Sequence, residues 1–419
     1  MKASPLASCI ALCGLFFSSP LKAELHWWKG NLHTHSLWSD GDDFPEAIAD
    51  GYRERGYHFL TLSDHNVLAD SERWVASASG VAAGAFPRYL EKFGTPWVEV
   101  RETEGKPEVR LKKFSEFRSR VEEPGRFLML QSEEISTRFS TAPLHVNATN
   151  LRELVKPPVG ASVVEVLQKC FGAVAEQRKK TGVPMFAHLN HPNFGWAVTA
   201  EELMLVDAMP FFEIYNGHPS VRNRGDARHA GVERMWDIVL SERLSRLGKP
   251  LVYGLATDDA HNYGTSKKNA RMGRGWVMVR AERLEEAQLV EAMERGDFYA
   301  SSGVRLSGVE RSEKGLRVAV DPDPGVHYTI RFVGTRKGYA SGSEPVLAED
   351  GSTLRTTRRY SDSVGAVLAE VEGTQGEYVF RGDEWYVRAV VVSDRLKSDP
   401  AEAGDRETAW VQPVRGPAR

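Results

Sequence analysis

Short apolar runs that break off in acids and histidines recur along the first part of the chain. Tyr57-His58-Phe59-Leu60-Thr61-Leu62-Ser63 runs into Asp64-His65, Phe127-Leu128-Met129-Leu130-Gln131-Ser132 into Glu133-Glu134, and Leu251-Val252-Tyr253-Gly254-Leu255-Ala256-Thr257 into Asp258-Asp259-Ala260-His261. Two more, Pro184-Met185-Phe186-Ala187 and Phe211-Phe212-Glu213-Ile214-Tyr215, run out at His188-Leu189-Asn190-His191 and Asn216-Gly217. Runs this short, rich in branched and aromatic residues and closed by polar ones, predict buried strands with chemistry at their ends.

Helical signatures lie between them. The stretch from Asp42 to Arg55 opens with acids and Pro45 and stops at Gly56, which predicts a helix between two strands and a right-handed βαβ unit. Val163, Val166, Leu167, Cys170 and Val174 recur at helical spacing behind a Ser162/Glu165 capping box, with Gly182 as the stop. Cys170 falls on the apolar face and reads as core. Another helix is expected from Leu284 to Arg295. Residues 71–125 read as a surface insertion: a hairpin around Glu104-Gly105-Lys106-Pro107, then a charged helix from Lys113 to Val121. The alternation predicts an α/β barrel-like domain whose site lies at the C-terminal mouth of its strands.

After Ser302-Gly303 the texture changes to short β-rich runs, among them Val326 to Val333 and Trp385 to Val392. These predict a small all-β, sandwich-like domain over residues 304–419 without catalytic equipment, packing on the barrel or binding an envelope component.

A chain of 419 residues is too long for one small core, and the division expected is 24–303 and 304–419. Its formal net charge of -3 supplies no general attraction to nucleic acid or anionic membrane. Met1-Lys2, the apolar run from Leu6 to Phe17 and small Ala23 before Glu24 predict a secretory signal peptide over residues 1–23, too short and interrupted for a spanning helix. Cys9 and Cys13 would leave with it. Cys170 then stands alone, so a periplasmic or extracellular protein without internal disulfides is expected.

The candidate chemistry begins at His33-Thr34-His35, followed by Asp40. In an extended segment both imidazoles face the same space, which is how a strand chelates a metal. Imidazole mixed with carboxylate suits Zn, Mn or Fe, whereas Ca and Mg would take oxygen alone.

The ordered set His33-x-His35…Asp40, Asp64-His65, Glu134, His145, His191-Pro192 and Asp259-x-His261 resembles the PHP (polymerase and histidinol phosphatase) superfamily of metal-dependent phosphoesterases. The resemblance covers positions 33 to 261 and not the C-terminal part. It implies a distorted seven-stranded β/α barrel holding two or three divalent ions at its mouth. By the same resemblance His33, His35, Glu134 and Asp259 hold one metal, Glu134 bridges to a second held by His145 and His191, and Asp40, His65 and His261 hold a third. His188 competes with His191, Glu133 with Glu134 and Asp258 with Asp259. Pro192 after His191, Ile135-Ser136 after Glu134 and the Asp-Ala-His sequence favour the second member of each pair, leaving Glu133 and Asp258 as supporting groups.

The reaction implied is hydrolysis of a phosphate ester of a small molecule, a metal-activated hydroxide attacking phosphorus in line while the ions neutralise the phosphoryl oxygens. His65 or His261 is the candidate to protonate the departing alcohol. Arg222, Arg224, Arg271 and Arg274 are candidates to clamp phosphate. His58, His218 and His229 read as structural or exposed. A metal-dependent amidohydrolase also begins with His-x-His but usually carries a bridging lysine and a single terminal Asp. A nuclease-type phosphodiesterase would want a basic stripe that this chain lacks. A non-catalytic envelope metal-binding protein would keep the ligands as scaffold.

Overall fold

The computed structural model describes residues 24–264 and 269–418. The expected signal peptide, residues 1–23 with Cys9 and Cys13, lies outside them. One mixed sheet carries the site. Its strands are β1 (His26–Asn31), β2 (Phe59–Leu62), β3 (Leu128–Phe139), β4 (Ala142–Thr149), β5 (Phe186–Leu189), β6 (Phe211–Asn216), β7 (Tyr253–Thr257), β8 (Trp276–Ala281) and β9 (Phe298–Ser301). From the C-terminal region come β10 (Tyr328–Arg336), β11 (Ala366–Glu372), β12 (Glu384–Leu396) and β13 (Arg406–Arg415). The spatial order is β7-β6-β5-β4-β3-β2-β1-β8-β9-β13-β12-β10-β11.

β1, β2 and β3 pair in parallel, as do β5, β6 and β7. Between these groups β4 runs antiparallel to both neighbours. The cause is local: β3 continues past the site and reverses at Ser140, whose φ of 54° makes a tight turn in place of a crossover helix. At the other side of the sheet Gly30 has no Cβ where one would stand 2.1 Å from the Phe59 ring. That close approach lets Phe59 seat against β1.

The expected seven-stranded barrel does not close. β8 pairs antiparallel with β1 from His26 to Gly30 and takes the edge that a closing strand would need. The sheet nevertheless coils far enough that Leu32, Phe59, Leu130, Phe211, Leu255 and Val277 share one apolar cluster. This plug underlies the mouth, and truncating one of its phenylalanines to alanine would cost about 3–5 kcal/mol. At the mouth the two ends of the coil are stitched by hydrogen bonds, Asp259 N–H to the His33 carbonyl at 3.0 Å and His35 N–H to the Ala260 carbonyl at 2.9 Å.

Helices cover the outer face. α1 (Pro45–Glu54) begins at its proline; α2 (Phe86–Phe93) and α3 (Phe114–Val121) lie within the insertion, in which Arg73–Ala76 joins the Val100–Thr103 and Lys106–Leu111 hairpin as a third strand. α4 (Val163–Thr181) is capped by Ser162 Oγ, which accepts from Glu165 N–H, and ends at Gly182 with φ 69°. Cys170 is buried on its inner face. α5 (Ala200–Leu205), α6 (Val232–Glu242) and α7 (Glu286–Glu294) complete the layer. Among the described residues no helix is long and apolar enough to cross a membrane.

The C-terminal strands prolong this sheet, Tyr299 of β9 standing opposite Val411 of β13. A second sheet of Leu306–Ser312, Gly315–Val320 and Gln375–Val379 faces them, and Leu316, Val318, Ile330, Phe332 and Val391 fill the space between.

Candidate metal centre

The coil gathers residues from six places in the chain. His33 and His35 follow β1 and are both fully buried. His65 follows β2 and is bridged through its backbone to Glu134 on β3. His145 sits on β4 opposite Ser136, two residues along the same face from Glu134. His191 follows β5, and Asp259 and His261 follow β7. The two residues that must turn sharply inward have backbones L residues rarely adopt, His191 at φ 21° and Asp259 at φ 49°. Strain of this kind costs about 1–3 kcal/mol per residue and is held in place by the surrounding fold.

Four ligand atoms converge. His33 Nε2 lies 3.1 Å from His35 Nε2, 3.4 Å from Glu134 Oε2 and 3.2 Å from Asp259 Oδ1. His35 Nε2 is 3.2 Å from each of the same two carboxylate oxygens. Donor atoms on arms of about 2.0–2.2 Å stand at about this spacing around one metal ion. Beside them, Glu134 Oε1 is 2.8 Å from His145 Nδ1 and 3.7 Å from His191 Nε2. On the solvent side Asp40 lies 3.5 Å from His35 Nδ1, 3.6 Å from His65 Nε2 and 3.4 Å from His261 Nε2.

Unmet hydrogen bonding tests whether these residues fit a metal. Glu134 Oε2 and His145 Nδ1 are buried, and neither makes an aligned hydrogen bond despite polar neighbours near 3 Å. Lone pairs aimed at a common space without shared protons are what a bound cation would satisfy. Two of the other ring nitrogens are already engaged. His33 Nδ1 lies 2.7 Å from Glu213 Oε1, and His261 Nδ1 lies 2.9 Å from the Asp259 carbonyl, so both rings present Nε2 to the centre.

The electrostatics agree. Burial would raise the Glu134 carboxyl, yet His145, His33 and His65 hold it well below the usual carboxylate range. Asp259 is likewise pulled well down against its burial, chiefly by His33 and His35. Burial lowers His65, but Glu134 and Asp40 outweigh it and lift the imidazole to about 10. His145 goes down, because burial there outweighs Glu134.

Glu213 is the functional residue that the sequence reading passed over. It is fully buried within β6, where Oε1 also accepts from Thr257 Oγ1 at 2.7 Å. Oε2 accepts from His191 N–H at 2.7 Å and Asn216 Nδ2 at 2.8 Å. The available signal was one carboxylate inside an otherwise apolar strand. Asp64 acts similarly at the rim, accepting from Ser36 and Ser39 and so shaping the turn that leads to Asp40.

The competing pairs separate in the structure. Glu133 points away from the centre, accepts from Val155 N–H at 2.6 Å and is pushed by burial up to about 8. Asp258 accepts from Tyr52 Oη and from the N–H groups of Gly273, Arg274 and Gly275. His188 is buried 3.6 Å from Glu213, below the ligand layer.

Arg274 does not fit the phosphate-clamp role. Its guanidinium is buried and donates to the carbonyls of Gly217 and Asn269, to Asn269 Oδ1 and to Asp399. No donor is left for a substrate. Arg224 donates to Asp405 and the Ala403 carbonyl. Arg222 is exposed, and only its carbonyl is engaged among the described residues, accepting from Asn193 Nδ2 at 2.9 Å.

No protein-family model matches the chain, and no curated protein matches it. Among solved structures it is similar to a two-domain protein containing a predicted PHP-like metal-dependent phosphoesterase from Bacteroides vulgatus ATCC 8482, at 14% identity over 92% of this chain and 96% of that one, with a TM-score of 0.40. It is also similar to a protein named as a metal-dependent phosphoesterase from Bifidobacterium adolescentis ATCC 15703, at 11% identity over 57% of this chain and 90% of that one, with a TM-score of 0.31.

Proposed function

We propose that the protein is an exported PHP-like metal-dependent phosphoesterase acting on a small phosphorylated molecule. The observation that carries this reading is the convergence of His33, His35, Glu134 and Asp259, with the two Nε2 atoms 3.1–3.4 Å from each other and from the carboxylate oxygens. His145 and His191 with Glu134, and Asp40 with His65 and His261, would hold further ions; Zn, Mn or Fe suit such donors. Bound divalent ions supply positive charge for the phosphoryl oxygens and acidify a water at neutral pH.

The chain's own residues then divide the work. Imidazoles outnumber carboxylates among the ligands, so the protein neutralises only part of the ions' charge. A net positive mouth of this kind favours an anionic phosphoryl group over a neutral amide. The apolar plug beneath the mouth closes the site from below and keeps water out on that side. His65 and His261 flank exposed Asp40 at the solvent edge, and whichever of the two is not committed to an ion there would give a proton to the departing alcohol. Arg222, exposed and with no side-chain partner among the described residues, would meet the substrate. In this reading residues 24–303 form the catalytic unit, and residues 304–419 form the β-rich unit that packs on it.

The test is elemental analysis of the purified chain beside a panel of phosphate monoesters and diesters. Bound metal, hydrolysis of a monoester and its loss in His35→Ala are expected. Full activity in chelator-stripped protein would overturn the reading.

A further inference from the structure

We propose that His218 is a further catalytic residue of this site, a neutral imidazole whose Nε2–H donates a hydrogen bond to a non-bridging oxygen of the phosphoryl group. The inference rests on the phosphoesterase reading and adds a residue outside the metal ligands. His218 lies on the loop after β6, half-buried, with its ring edge-to-face against that of His261 at 5.3 Å between centroids.

The loop holds the ring in place through the same groups that hold the ligands. Asn216 Oδ1 accepts from His218 N–H at 2.8 Å, while Asn216 Nδ2 donates to Glu213 and, at 3.1 Å, to Asp259 Oδ2. Gly217 permits the approach, because a Cβ there would stand 2.7 Å from Arg274 Cβ and 2.9 Å from the Asp258 carbonyl oxygen. Pro219 restricts His218 to extended backbone. The His218 backbone is thus tied through Asn216 to Asp259, and its ring lies beside His261 at the mouth.

Its tautomer is fixed by geometry. Ser220 N–H donates to His218 Nδ1 at 3.1 Å, so that nitrogen offers a lone pair and the ring proton resides on Nε2. Among the described residues nothing accepts from Nε2, and it is not one of the buried orphaned atoms. The Nε2 donor is therefore unpartnered among the described residues, on a ring that lies against His261. A neutral donor suits this position: it stabilises charge gathering on the phosphoryl oxygens without adding another cation beside the ions. With Nδ1 accepting from Ser220, the role assigned to His218 is donation from Nε2 and not proton transfer.

The test uses the full chain loaded with Mn or Zn. His218→Ala should lower kcat on an aryl phosphate roughly 100-fold with metal content unchanged, and weaken inorganic phosphate binding in calorimetry by about three- to tenfold. His218→Gln, whose amide can reach the Nε2 position, should recover much of both losses, and neither variant should move the limbs of the pH profile. Wild-type kcat in His218→Ala would overturn the inference. So would loss of metal, which would make His218 a ligand or a structural group, and so would a displaced pH limb. Should the loaded wild type hydrolyse no phosphate ester, the phosphoesterase reading fails on its own. Phosphate binding then decides about His218: weakened binding in His218→Ala supports the contact, and unchanged binding overturns it.

Discussion

Glu213 Oε1 lies 2.7 Å from His33 Nδ1, a contact between two fully buried side chains 180 positions apart in sequence. Burial alone would raise the Glu213 carboxyl, but His33 and His188 hold it below the usual range, so it stays ionised and keeps the His33 proton on Nδ1. That leaves Nε2 for the metal. Glu213→Gln should weaken Mn or Zn binding by about 10- to 100-fold, the usual effect of removing a carboxylate behind a histidine ligand. Calorimetric titration of the stripped protein reads this directly, and unchanged affinity would remove Glu213 from the metal centre.

Metal binding should also be proton-linked. His33 and His261 sit above the ordinary imidazole value, and His65 is lifted to about 10, in each case because neighbouring carboxylates outweigh burial. Imidazoles raised in this way hold their protons more tightly, and a metal must displace those protons. Affinity should therefore rise as pH climbs from the ordinary imidazole value of 6.5 toward about 10, where His65 is held, with proton release visible as a buffer-dependent heat. A flat affinity over that interval would contradict the assigned ligand set.

These features were not equally legible in the sequence. His33-Thr34-His35 and Asp259-Ala260-His261 sit together in the chain, so spacing alone announced them. The strands that carry Glu134 and His65 were visible as apolar runs, because burial on both faces leaves that signature. Glu213 has the same apolar setting, but its partner His33 is remote and no local pattern links the two. Arg274 looked like other arginines in polar loops, since burial by a distant segment leaves no local trace. The barrel failed to close for a similarly remote reason: β8 takes the free edge of β1, a pairing between residues 26–30 and 277–281 that the runs themselves do not encode.

Glu133 gives a stability prediction of known sign. Burial pushes its carboxyl from 4.5 up to about 8, so the folded chain binds this proton more tightly than the unfolded chain does. The contribution is fully present below the unfolded value and is lost as pH rises through the folded one. Glu133→Gln keeps the acceptor for Val155 N–H and removes the titration. Its stability relative to wild type should grow from about pH 5 to pH 9, by at most about 4–5 kcal/mol at 1.36 kcal/mol per unit. Parallel urea curves at every pH would show that the carboxyl titrates normally.

Arg274 joins the loop after His261 to the segment between β12 and β13. Its guanidinium is buried and paired with Asp399, while Lys397 of the same segment donates to the Arg274 carbonyl. Removing the arginine strands two carbonyls and the Asn269 side-chain oxygen together. Arg274→Ala should therefore destabilise the whole chain by about 3–5 kcal/mol in urea unfolding. Asp399→Asn should cost less, because Asp399 is 41% exposed and water can replace it. If Arg274 instead held substrate, Arg274→Ala would raise KM and weaken phosphate inhibition at unchanged stability. The pattern expected is the reverse, a lower unfolding midpoint with KM retained in the fraction that remains folded, because the donors a phosphate would need are already given to Gly217, Asn269 and Asp399.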